Sequence, residues 1–92
     1  MNSLRDFDIA NYLDNKEIIA EYLTQVLEDG DMDEFLNAIN DIARAKGISN
    51  ISKETNLNRE SLYKAFKKGA KPRFDTVLKV LNSLDVKLVA SA

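Results

Sequence analysis

Ninety-two residues, 45% of them hydrophobic and 30% charged, with one proline and three glycines, fit a single helix-rich globular domain and exclude both a disordered tail and two independent cores. The lack of cysteine excludes disulfides and thiolate metal sites, and the lack of histidine removes the commonest general base and the commonest metal ligand. Net charge is −2, yet residues 1–45 set three bases against eleven acids (−8) and residues 46–92 ten bases against four (+6); the split implies two surfaces with different partners, the alternative being a chance scatter of solvated charges.

The start, Met1-Asn2-Ser3-Leu4-Arg5-Asp6, lacks the apolar run of a secretory signal. No stretch approaches the ~18–20 apolar residues of a membrane span, so a cytoplasmic chain with no membrane partner is expected. Asp8 can cap a short helix to Leu13, with Ile9, Leu13 and Tyr12 as its inward residues. Asn15 caps a helix over 16–27, whose apolar residues Ile18, Ile19, Tyr22, Leu23, Val26 and Leu27 recur at helical spacing. Gly30 ends it. Asp31 with Glu34 starts the next helix as a capping-box variant. Phe35, Leu36, Ile39, Ile42 and Ala43 are its buried stripe, Lys46 suits the dipole near its end, and Gly47 supplies a left-handed cap.

Ser49 or Asn50 can cap a helix to Thr55, Asn56 and Leu57 form a turn, and Asn58 caps a helix reaching about Lys67. The stretch Lys68-Gly69-Ala70-Lys71-Pro72 is a loop. Phe74, Val77, Leu78, Leu81 and Leu84 mark a last amphipathic helix, and the alternation Val86-Lys87-Leu88-Val89 reads as a short strand.

Residues 48–67 carry the functional signal. Two helices crossing over a short turn need apolar residues at fixed inward places. Counting from Ile48, those places hold Ile51, Leu57, Leu62 and Ala65. The ninth place, where glycine usually permits positive φ, holds Asn56, and the fifth, usually alanine, holds Ser52. This is a helix-turn-helix pattern. It leaves Asn58, Arg59, Glu60, Tyr63, Lys64 and Lys67 on the outer face of the second helix, where they can enter a DNA major groove.

Arg59 can fork onto guanine, and Glu60 can accept from cytosine, orient Arg59 or simply complement the helix dipole. Asn58 can meet an adenine edge, act as the cap, or both. Tyr63 can touch a thymine methyl or a phosphate, or be half-buried core. Ser49 and Asn50 sit where backbone amides can face a phosphate, and Lys67, Lys68, Lys71 and Arg73 hold the DNA backbone, Lys71 and Arg73 being alternatively plain loop charges; Arg59 and Lys64 either touch a base or phosphate or are simply solvated. Six neutralised phosphates would give log affinity against log salt a slope of roughly −5.

The stretch from Asp31 through Val89 resembles the lambda-repressor/Cro-like (Xre) helix-turn-helix domain, and the whole chain resembles HigA-type addiction-module antidote proteins. The resemblance rests on Asp6-Phe7-Asp8-Ile9-Ala10-Asn11-Tyr12-Leu13, Leu27-Glu28-Asp29-Gly30-Asp31 and Asp41-Ile42-Ala43-Arg44-Ala45-Lys46-Gly47. It continues through Leu57-Asn58-Arg59-Glu60-Ser61-Leu62-Tyr63-Lys64-Ala65 and Thr76-Val77-Leu78-Lys79-Val80-Leu81. Departures are Asn56 and Ser52, where the family usually has Gly and Ala, and Asn50, where Gln is common.

The resemblance implies an all-α fold of five or six helices: an acidic N-terminal helical extension over 1–30 and a helix-turn-helix domain over 31–92, possessing at most a short C-terminal strand. It further implies an antitoxin of a type II toxin–antitoxin module. Such a protein neutralises a RelE/HigB-like toxin, typically a small basic ribonuclease, and represses its own operon as a dimer on operator DNA. A basic toxin would be drawn to the acidic half, with Asp14, Glu17, Glu21, Glu28 and Asp29 as candidates. The alternatives are a stand-alone transcriptional repressor and a helical protein-interaction module without DNA binding. No cofactor, metal or catalytic residue is indicated, so an enzyme is the least supported class. Two recognition helices about 34 Å apart would read one DNA turn. The last helix (Val77, Leu81, Leu84) and Lys87-Leu88-Val89 are the candidate dimer contact.

Overall fold

The computed structural model describes residues 8–92. Arg5, Asp6 and Phe7, which enter the charge split and the resemblance, lie outside the described residues, as does the N-terminal hexapeptide. The order is a 3-10 turn, Ile9–Tyr12, then α1 (Lys16–Asp29), α2 (Met32–Lys46), α3 (Ile48–Thr55), α4 (Arg59–Phe66) and α5 (Phe74–Ser83). The fold is all-α. No helix among the described residues is long and apolar enough to cross a membrane.

Local chemistry sets most of these boundaries. Asp8 caps the 3-10 turn by accepting from the Ala10 amide at 3.1 Å. Asn15, Asp31 and Asn58 each sit in extended backbone, and each accepts from the amide three residues on, at 3.1, 2.9 and 2.7 Å. Each cap satisfies one amide that a helix start leaves without an intrahelical partner. α1 runs two residues past the expected Leu27 and stops at Gly30, whose N–H donates to Val26 O at 2.8 Å.

α2 sits at the centre, packed against every other α-helix. Its stripe Phe35, Leu36, Ile39, Ile42 and Ala43 is buried, together with Ala38. Ile19 and Leu23 of α1, Ile51 of α3, Leu62 and Phe66 of α4, and Val77, Val80 and Leu81 of α5 complete the core with Leu84 and Val86. Among the described residues, no buried side-chain nitrogen or oxygen lacks a partner.

Several sequence expectations are corrected. α3 begins at Ile48, ahead of Ser49 and Asn50, because the Gly47 carbonyl accepts from the Asn50 and Ile51 amides at 3.1 and 3.2 Å. Gly47 adopts φ 111°, ψ 105°, outside the left-handed helical region. Leu27 and Tyr12 are exposed rather than inward, and Phe74, the first residue of α5, is 66% exposed at the end of its stripe. Among the described residues there is no strand: 86–89 has no neighbour with which to build a ladder. Instead, Asp85 takes φ 61°, the Val86 amide donates to Leu81 O at 3.0 Å, and the Val86 side chain is buried while Leu88 and Val89 stay exposed.

Candidate nucleic-acid interface

The α3–α4 pair is joined by residues 56–58. Asn56 takes the left-handed conformation (φ 60°, ψ 26°) that a three-residue reversal requires and that asparagine tolerates better than most residues. Hydroxyls fasten the turn. Ser52 Oγ donates to the Leu57 carbonyl, Thr55 Oγ1 donates to Ile51 O at 2.7 Å, and Thr55 Oγ1 in turn accepts from the Leu57 amide at 3.3 Å. The serine that replaces the usual alanine thus supplies a bond that alanine cannot.

Ile51 and Leu62 are 2% exposed and Phe66 is 4% exposed, so they pin both helices to the core; Leu57 and Ala65 are half-buried beside them. Phe66 escaped the sequence reading, although its position four residues after Leu62 puts it on the same helical face. Burial of that face leaves Asn58, Arg59, Glu60, Tyr63, Lys64 and Lys67 exposed, with Ser49 and Asn50 exposed on α3.

The exposed side chains are partly engaged with one another. The Arg59 guanidinium donates to Ser49 Oγ, bridging the outer faces of α4 and α3. Glu60 therefore does not orient Arg59; it pairs with Lys64 at 3.1 Å, one helical turn on. That pair is so exposed that it contributes little to stability. Asn58 is engaged as the cap. Tyr63, 41% exposed, lies under the Arg44 guanidinium of α2, 5.1 Å from ring centroid to Cζ. Periodicity gave no sign of this contact, since Arg44 belongs by position to the acidic half.

Lys67, Lys68, Lys71 and Arg73 are exposed in the segment leading from α4 to α5. Arg73 Nε lies 3.4 Å from Asp75 Oδ1, and Gly69 provides the positive φ of 81° at which the segment turns. Arg59 and Lys64 thus lie on the exposed side of α4, and four further exposed cations follow it in the chain. The proposed dimer residues Val77, Leu81 and Leu84 are in contrast sealed within the protomer, being required for its own core, and are withdrawn as contacts; Leu88 and Val89 remain exposed. Among the described residues, no group of three or more acidic side chains is placed to hold a metal ion.

Residues 3–92 match the family described as "Probable addiction module antidote protein". An uncharacterized protein of Haemophilus influenzae is 40% identical over 83 residues, which span 90% of this chain and 86% of that protein. No solved structure matches the chain.

Proposed function

The chain belongs to the family of probable addiction module antidote proteins, and from that premise we propose that it is a DNA-binding antitoxin whose α3–α4 pair acts as a lambda-repressor/Cro-like helix-turn-helix. In this reading it neutralises a RelE/HigB-like toxin and represses its own operon as a homodimer in the cytoplasm. The observation that carries the DNA part is the two-sidedness of α4: Leu62 and Phe66 buried, Arg59, Tyr63 and Lys64 exposed. Arg59 and Tyr63 are the base readers. Lys64, Lys67, Lys68, Lys71 and Arg73 hold phosphates, and the exposed start of α3 at Ser49 and Asn50 faces another.

A gel-shift on the promoter fragment of the chain's own operon tests this. The wild-type protein is expected to retard the fragment, and Arg59→Ala with Lys64→Ala to weaken binding on the order of 10- to 100-fold, through one lost base contact worth about 1–3 kcal/mol and one lost phosphate contact. A folded double variant binding like wild type would falsify the assignment.

The toxin is assigned to the acidic side. Asp14, Glu17, Glu21, Glu28 and Asp29 are all exposed, and the last turn of α1 holds no base to offset Glu28 and Asp29 at the negative end of its dipole. Titration against the neighbouring operon product should give a complex, and none at micromolar concentration would remove the claim. Dimerisation is assigned to the exposed tail. Removing residues 87–92 spares the buried Val86 and should shift the solution mass to monomer; an unchanged dimer would refute that placement.

A further inference from the structure

We infer that Arg44, outside the α3–α4 pair, is a positioning residue of the nucleic-acid face: its guanidinium holds the Tyr63 ring and presents its remaining N–H groups to a backbone phosphate. This rests on the DNA reading above and extends it to a third helix. By sequence, Arg44 is one of three bases among the eleven acids of residues 1–45. The fold reassigns it. α2 packs against α4, and the last turn of α2 carries the guanidinium over Tyr63, in the middle of the outward row.

An exposed arginine near a helix C-terminus has an adequate explanation in the dipole alone. That explanation requires a charge near the last carbonyls; it does not require the guanidinium to lie over an aromatic ring on another helix. A planar guanidinium can stack on a ring and still donate along its edge, which an ammonium cannot. The ion pairs among the described residues are Lys64–Glu60 and Arg73–Asp75. Neither occupies Arg44, so its exposed guanidinium is held by no ion pair beside the helix that bears Arg59 and Lys64. The guanidinium over the ring also favours this placement of the half-exposed Tyr63 side chain. A restrained ring is a better apolar contact for a base or sugar, because less freedom is lost on binding.

The test measures affinity of the full chain for its own promoter fragment across a salt series, with a scrambled duplex of equal length as reference. Arg44→Ala should lose roughly 5- to 10-fold in affinity, and its log affinity–log salt slope should be shallower by about one, the signature of one lost phosphate contact. Arg44→Lys should keep the slope while losing part of the affinity. Tyr63→Leu combined with Arg44→Ala should lose less than the two single losses multiplied together, because the residues act as a unit. A merely structural Arg44 would lower affinity on a lowered melting temperature and leave the slope alone. Wild-type binding with an unchanged Arg44→Ala slope overturns this inference and leaves the DNA reading standing. A wild-type protein that binds neither duplex overturns the DNA reading, and this inference with it.

Discussion

Gly47→Ala is the sharpest test of how α3 and α4 are presented. Gly47 ends α2 and starts α3 at once: its N–H donates to the Ala43 and Arg44 carbonyls at 3.0 and 3.2 Å, while its carbonyl accepts from Asn50 and Ile51. Held on both sides, it cannot relax from φ 111°, ψ 105°. A Cβ there would meet only Asn50 Nδ2, at an ordinary 3.5 Å, so the penalty is backbone strain and not a clash. Such strain costs about 1–3 kcal/mol. Reduced freedom of the unfolded chain returns about 0.4–1 kcal/mol, leaving a net loss centred on about 1.3 kcal/mol. For a domain of this size, that lowers Tm by roughly 5–10 °C. Thermal unfolding followed by circular dichroism measures it. Gly69→Ala is the control: its φ is also positive, nothing lies within 4 Å of the added carbon, and the segment around it is free of flanking α-helical bonds on both sides. Equal melting temperatures for the two variants would refute the claim that the α2–α3 junction is rigidly held.

Leu62→Ala should cost about 2–5 kcal/mol through lost burial and a residual cavity, whereas exposed Lys64→Ala should stay within about 0.5 kcal/mol of wild type; denaturant midpoints separate them. At Asn56, replacement by glycine should leave stability nearly unchanged and replacement by alanine should cost about 1 kcal/mol, since only the β-carbon of alanine is strained in the left-handed conformation. Tyr22 titrates above its ordinary value of 10.0, chiefly because burial disfavours the phenolate and secondarily because Asp41 is close. Its folded pKa being raised, its contribution is fully present below pH 10 and is lost as pH climbs through the folded value. Tyr22→Phe should therefore flatten the stability profile above pH 10, and an identical alkaline decline in both proteins would exclude Tyr22 as a cause.

What the sequence made legible was local. Asn15, Asp31 and Asn58 announce helix starts because a cap depends only on the next three residues, and Asn56 announces its conformation for the same kind of reason. The stripe of α2 was equally readable, since a helix fixes which residues share a face. Non-local relations were not. Val86-Lys87-Leu88-Val89 alternates like a strand, but a strand exists only when another backbone pairs with it. Apolar Val77, Leu81 and Leu84 declare that they will be covered, not whether their own subunit or a second copy covers them. Arg59 with Ser49, and Arg44 with Tyr63, are meetings of residues ten and nineteen positions apart that only the packed arrangement creates.

The hydroxyl fastening of residues 52–57 bears on how this surface can adapt. Ser52 and Thr55 tie α3 to the Leu57 backbone, and Arg59 clasps Ser49 from the other side. On the proposed DNA reading, these bonds favour docking of the two helices as one unit. In that proposal, adjustment to differently shaped duplexes falls to the basic segment 67–73, so variants there should change tolerance of DNA curvature while leaving the order of preferred bases intact.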